Sequence, residues 1–306
     1  MLDALLGRFG RGDRRALSRL VSLVSRGEHV GAILAGLAPA AHPARVVAVT
    51  GSVGVGKSTL VGKLIDKARE AGQKVAVLAC DPQSPLTGGA LLGDRFRMPA
   101  RPDDDGVFIR SLAAAGGRGA LADNLDPLTR LLEAFGFDVV LIETVGAGQG
   151  DTAVRELTDV LVLLLQPETG DDLQWEKAGL LEVADVVAIH KADLSGAEHV
   201  EAQVLATLGL AEGPIPPVLR VSSRTGQGVE PLWQTIVSLP LRRNDRREGP
   251  VLLRASQQVL AERFREALAA GLPNVSLLLA RWQRGELDTP EAGTALLQLL
   301  ANSSTE

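Results

Sequence analysis

Gly51-Ser52-Val53-Gly54-Val55-Gly56-Lys57-Ser58 fills every fixed position of a phosphate-binding loop, and the apolar run Val46 to Thr50 stands directly before it. Such a loop works only at the junction of a strand and a helix. Val46 to Thr50 reads as that strand, and Ser58-Thr59 opens a helix whose N-terminus faces the phosphates. Gly51, Gly54 and Gly56 let backbone N–H groups approach a nucleotide. Lys57 reaches the β- and γ-phosphates, and Ser58 can place its hydroxyl on Mg²⁺. A glycine-rich turn that binds nothing gives no reason for the lysine. The strand–loop–helix context therefore commits this part of the chain to an α/β core that holds a nucleoside triphosphate.

The rest of the sequence supplies the strands such a core needs. Segments 75–80, 107–110, 138–142, 160–165, 186–189 and 218–221 are short and apolar, and helical stretches separate several of them. This alternation predicts a mostly parallel sheet covered on both faces. Helices are expected at 14–38, from Ser58 to Ala71 with a stop at Gly72, up to about Phe135, and in three pieces between 250 and 300. The stretches 82–106 and 111–119 are rich in Gly, Pro, Asp or Ala and read as loops, the first long, mobile and carrying a short helix. The organisation expected is an N-terminal helical segment over 1–44, a nucleotide-binding domain over 45–240 and a C-terminal helical extension over 241–306.

Composition excludes several classes. The 306 residues carry a net charge of −5 and no long basic run, which gives no support to nucleic-acid binding. The apolar stretches at 159–165 and 185–189 are too short to span a bilayer, and the N-terminus does not resemble a secretory signal. A single cysteine, Cys80, rules out an internal disulfide and a cysteine metal cluster. The compartment expected is the cytoplasm.

Ligands of open parallel sheets collect beyond the carboxyl ends of the strands. Asp81, Glu143 and Lys191 all fall there. Asp81 and Glu143 are candidate Mg²⁺ ligands, since that ion takes oxygen donors and keeps several waters. Gly146, Gly148 and Gly150 follow Glu143 closely, as suits a segment that senses a γ-phosphate through backbone N–H groups. Asp94 and Arg95, in the long loop, offer a further carboxylate for the metal and a cation for developing phosphate charge. His190-Lys191-Ala192-Asp193 reads as the base-recognition segment, with Ser222-Ser223 forming a second loop beside it. A carboxylate at Asp193 can accept guanine N1–H and N2–H₂ together, a donor pair that adenine lacks, so GTP is favoured over ATP. His190 itself reads as a polar strand-end residue.

Together these segments resemble the MeaB/ArgK family of P-loop GTPases, chaperones of cobalamin-dependent acyl-CoA mutases. The resemblance runs over Arg45–Leu60, Val75–Ser84 with Thr87-Gly88-Gly89 and Leu92-Gly93-Asp94, Phe137–Gln149, and Gly170–Gln174. It implies that Lys57 contacts phosphates, that Ser58, Asp81, Asp94 and Glu143 surround Mg²⁺, and that Lys191 and Asp193 hold the base, with Ser223 near it. Catalytic roles fall to Lys57, Glu143 and Asp94. It also implies GTP and GDP as the bound nucleotides, slow GTP hydrolysis coupled to cobalamin delivery at methylmalonyl-CoA mutase or a related mutase, and a homodimer formed through the C-terminal extension. Two positions depart from the family pattern. His190 stands where asparagine usually precedes the base-motif lysine, and Arg95-Phe96 follows Asp94 where lysine-threonine is usual. The competing readings are a nickel-loading metallochaperone GTPase, an ATP-dependent small-molecule kinase, and a nucleotide-sensing module that does not use hydrolysis.

Overall fold

A computed structural model describes residues 2–82, 104–114, 120–145, 154–167, 175–210, 213–242, 256, 260–261 and 263–302. The chain divides into two compact units, Met1–Asn244 and Asp245–Glu306.

The larger unit is built on seven parallel strands in the order β3-β2-β4-β1-β5-β6-β7. They are β1 Arg45–Gly51, β2 Val75–Pro82, β3 Val107–Ala114, β4 Val139–Glu143, β5 Val160–Leu165, β6 Val186–His190 and β7 Val218–Val221. Helices α1 Leu2–Phe9, α2 Arg14–Ser25 and α3 Val30–Ala35 precede the sheet. Between and after the strands come α4 Lys57–Glu70, α5 Ala120–Phe135, α6 Trp175–Val183, α7 Ala197–Leu208 and α8 Val229–Ser238. The expected α/β class, with a parallel sheet between helices, is the fold observed.

Strand alternation explains the two faces. In β1, Val46 and Ala48 point to one side and Val47 and Val49 to the other, and all four are fully buried. The first side packs against Leu17, Leu20, Val21 and Val24 of α2, Ile33 of α3 and Leu125, Leu128, Leu131 and Leu132 of α5. The second packs against Leu60, Val61, Leu64 and Ile65 of α4 and Leu232, Trp233 and Ile236 of α8. At about 1.5–3 kcal/mol for each fully buried large aliphatic side chain, these two layers supply most of the gross driving force. Under β5 and β6, Leu163, Leu165, Val187 and Ile189 meet Leu180 and Leu181 of α6 and Val204 and Leu208 of α7.

Two expectations change. The segment 111–119 was expected to be loop, yet Ser111 to Ala114 continue β3 in register with Ala79 to Pro82. Pairing with β2 supplies hydrogen bonds that override the low strand preference of alanine. The N-terminal helices also begin earlier than 14, with α1, whose Phe9 ring lies 5.2 Å from that of Phe135. Arg14 donates to the carbonyls of Asp105 and Val107, and Arg110 donates to Ser22 Oγ, so α2 also grips the edge strand β3.

At the amino end of the sheet a carboxylate network ties down the segment that leads out of this unit. Asp159 Oδ2 accepts from Val46 N at 2.8 Å, and Oδ1 accepts from Arg242 N at 2.9 Å. Asp185 accepts from Leu161 N, Arg155 and Arg242.

In the smaller unit, α9 Pro273–Gln283 packs on α10 Thr289–Asn302. Leu268, Leu272, Leu277, Trp282 and Leu297 remain exposed there. No helix among the described residues is long and apolar enough to cross a membrane.

Candidate nucleotide-binding site

The carboxyl ends of β1, β4 and β6 converge where the strand order reverses: β2 and β3 lie to one side of β1, and β5 to β7 to the other. That crevice is where a ligand of a doubly wound sheet belongs.

Gly51 ends β1 with φ at 141°. A Cβ there would sit 2.4 Å from the Leu164 carbonyl oxygen of β5, so only glycine lets β1 turn out of the sheet this close to its neighbour. The loop then delivers Gly56 at φ 102° to the N-terminus of α4, which has no side-chain cap and no acidic residue in its first turn. The first N–H groups of that helix are left for an anion, and its dipole favours one.

Lys57 is buried, and its Nζ donates to the carbonyls of Gly51 at 2.8 Å and Ser52 at 3.1 Å. The ammonium thus folds across the loop that it would leave to meet phosphate oxygens. Ser58 Oγ donates to Glu143 Oε1 at 2.6 Å, with both side chains buried. A hydroxyl and a carboxylate this close, behind an anion-binding helix end, form an oxygen donor pair that fits a hard cation such as Mg²⁺. Thr59 is exposed at the next position. A second strand-end clasp lies beside Glu143, where Thr144 N donates to Val49 O at 3.1 Å and Thr144 Oγ1 to Thr50 Oγ1 at 3.0 Å. No pattern in the sequence pointed to this threonine pair.

The backbone of Asp81 lies near the end of β2, two residues beyond Ala79, which is in register with Glu143. Asp94, Arg95, Gly146, Gln149 and Gly170–Gln174 lie outside the described residues.

The base-recognition segment follows β6. Lys191 adopts φ 56°, the left-handed region, and turns the chain sharply. Ala192 N donates to Val221 O at 3.1 Å, which stitches this turn to the end of β7. Asp193 Oδ1 accepts from Ser222 Oγ at 2.6 Å, and Arg224 lies 3.7 Å from Oδ2. The Ser222 hydroxyl, with help from Arg224, holds the Asp193 carboxyl below its ordinary range, so it is a carboxylate at neutral pH. Lys191, Asp193 and Ser223 are therefore brought to one cluster of loops.

His190 is the polar strand-end residue expected, closing β6, and it is buried. It is 4 % exposed, with Nδ1 2.6 Å from Val55 O and Nε2 2.7 Å from Ser223 Oγ. Burial holds its pKa below the ordinary histidine value, and Lys191 adds to this, against the Val55 bond and Asp193. Among the described residues there is no cluster of three His, Cys, Asp or Glu groups suited to a metal.

Residues 17–264 match the family described as methylmalonyl Co-A mutase-associated GTPase MeaB. A putative GTPase of Pyrococcus horikoshii is 42 % identical over 242 residues, which cover 77 % of this chain and 76 % of that protein. GTPase ArgK of Escherichia coli is 36 % identical over 242 residues, covering 75 % and 73 %. The crystal structure of an LAO/AO transport system kinase superposes with a TM-score of 0.65 at 24 % identity, covering 98 % of this chain and 97 % of that one, and so shares the fold. With the phosphate loop at the end of β1, the Ser58–Glu143 pair behind it and an aspartate-bearing turn after β6, the chain belongs to the MeaB family of P-loop GTPases.

Proposed function

We propose that this GTPase couples hydrolysis of GTP to the loading or protection of cobalamin on a cobalamin-dependent acyl-CoA mutase, methylmalonyl-CoA mutase being the leading client. The family match over residues 17–264 carries the link to the mutase.

In the proposed reaction, water attacks the γ-phosphorus in line. A bond forms from the water oxygen, the bond from the γ-phosphorus to the bridging oxygen breaks, and GDP leaves with the electron pair. Lys57 exchanges the Gly51 and Ser52 carbonyls for phosphate oxygens, and the N–H groups opening α4 support the charge spread over the transferring group. Mg²⁺, when bound, neutralises charge on the β- and γ-phosphates. Ser58 and Glu143 would hold it, joined by Asp81 and Asp94. Gly51, Gly54, Gly56 and Thr59 line the phosphate path, and Gly146 meets the γ-phosphate side. Lys191 covers the purine face while Asp193 reads its edge, with Ser223 alongside.

The proposed working form is a cytoplasmic homodimer assembled through residues 241–306.

The test is phosphate release from GTP and from ATP with Mg²⁺, each with and without the mutase loaded with cobalamin. GTP-selective turnover that changes on adding the mutase supports the reading. ATP preference, or GTP turnover indifferent to the mutase, overturns the pairing.

A further inference from the structure

We infer that His190 is a positioning residue that latches the phosphate loop to the end of the sheet through the neutral Nδ1–H imidazole, and that it takes no part in reading the purine. This inference rests on the GTP site described above and adds to it a residue whose role belongs to this chain's own geometry.

Three contacts carry it. The Val55 carbonyl can only accept, so the nitrogen 2.6 Å away, Nδ1, must bear the proton. Nε2 then accepts from the Ser223 hydroxyl at 2.7 Å. Both ring nitrogens are engaged, and neither is left for a base edge. The ring lies against Gly56, where a Cβ would come within 2.4 Å of Cε1 and 2.6 Å of Nδ1. The residues touched, Val55 and Gly56, are the two that immediately precede Lys57. The imidazole therefore fixes the peptide from which the phosphate-binding lysine and the N–H groups of α4 project. Burial disfavours the imidazolium, in keeping with a neutral ring. Base reading is anchored separately, because Asp193 is held by Ser222 and Ala192 by Val221.

The side-chain lengths give a sharp test. An asparagine amide nitrogen falls near the position of histidine Nδ1, whereas a glutamine amide reaches the position of Nε2. His190→Asn keeps the bond to Val55 and loses Ser223. His190→Gln does the reverse. Affinities for GTP, GDP and inosine triphosphate are measured by calorimetry for the unmodified chain and for His190→Asn, His190→Gln and His190→Ala. A lost buried hydrogen bond predicts about 10-fold weaker binding of all three nucleotides in the Ala and Gln variants. Recovery to within about 3-fold of the unmodified chain is expected in the Asn variant, with the GTP-to-inosine-triphosphate ratio unchanged throughout. Independently, ¹⁵N shifts of the ring in the nucleotide-free protein should report the Nδ1–H tautomer.

Unchanged affinity in the Gln variant, an Asn variant as poor as the Gln one, or an altered base ratio overturns the latch. An Nε2–H tautomer overturns it as well, even if the Ala variant fails to fold. If the unmodified chain binds no GTP, the nucleotide-site reading fails instead, and the tautomer still decides the latch.

Discussion

Placing a methyl group on Gly56 should break the loop at a cost that is not additive with removal of the His190 ring. Gly56→Ala incurs two separate penalties. At φ 102° the residue lies in backbone space that L side chains disfavour, which costs about 1–2 kcal/mol. The new Cβ would also stand 2.4 Å from His190 Cε1 and 2.6 Å from Nδ1. The ring must move, and losing its buried bond to Val55 O costs about 1–3 kcal/mol. The single substitution should therefore destabilise the nucleotide-free protein by roughly 2–5 kcal/mol. With alanine already at position 190 there is no ring to displace, so Gly56→Ala should then cost only the backbone part, about 1–2 kcal/mol. Urea unfolding of the four proteins near neutral pH gives the cycle directly. The double variant should be more stable than the sum of the singles by about 1–3 kcal/mol. Additivity to within about 0.5 kcal/mol would show that the ring and the glycine do not constrain one another, and the steric argument would be wrong.

Other expectations follow from the same loops. Asp193→Asn exchanges an acceptor for a donor at the guanine edge; GTP should bind on the order of 100-fold more weakly while xanthosine triphosphate binds more tightly. An unaltered preference between the two would remove Asp193 from base recognition. Glu143→Gln keeps a partner for Ser58 but removes the charge, so Mg²⁺-dependent turnover should fall by about 100-fold while GDP binding in chelator changes little. Turnover at the unmodified rate would show that the carboxylate is dispensable. Stability should also depend on pH through His190. Its folded pKa is lowered from 6.5, so between that lowered value and 6.5 the unfolded chain binds more protons than the native one. Stability is then complete above 6.5 and falls as pH drops through that window, with neighbouring Lys191 reinforcing the effect and Asp193 opposing it. Urea midpoints across this range should slope less for His190→Asn than for the unmodified chain; equal slopes would rule out His190 as the source.

Local chemistry makes most of the fold legible in the residues themselves. The five inner strands β2, β4, β1, β5 and β6 are short runs of mainly buried aliphatic residues, and one, Val46 to Thr50, ends in a loop that only a parallel α/β sheet can present. What stays hidden in the sequence is set by partners far along the chain. Ser111 to Ala114 look like loop until β2 pairs with them, and no residue inside that run signals the pairing. His190 bonds Val55, 135 residues away, and Ser223, 33 residues away, so its role exists only after β1, β6 and β7 are side by side. The Thr50–Thr144 clasp is hidden for the same reason, because neither threonine is unusual in its own surroundings. Lys57 and Glu143, by contrast, are identifiable because a strand end or a fixed motif position assigns them without distant partners.

The strand order has a consequence for how the protein is made. β1 carries the phosphate loop, yet its two neighbours in the sheet, β4 and β5, begin only at Val139 and Val160. A chain emerging from the ribosome therefore displays its central strand with both edges bare until far more than the loop itself has been synthesised. Contacts this distant in sequence are slow to form, and unpaired apolar edges invite association with other chains. The His190 contact to the loop comes later still. Nascent chains halted before residue 160 should accordingly be unable to retain nucleotide and should depend on holding factors. Competence to bind GTP is then acquired late in synthesis, as one event with closure of the sheet.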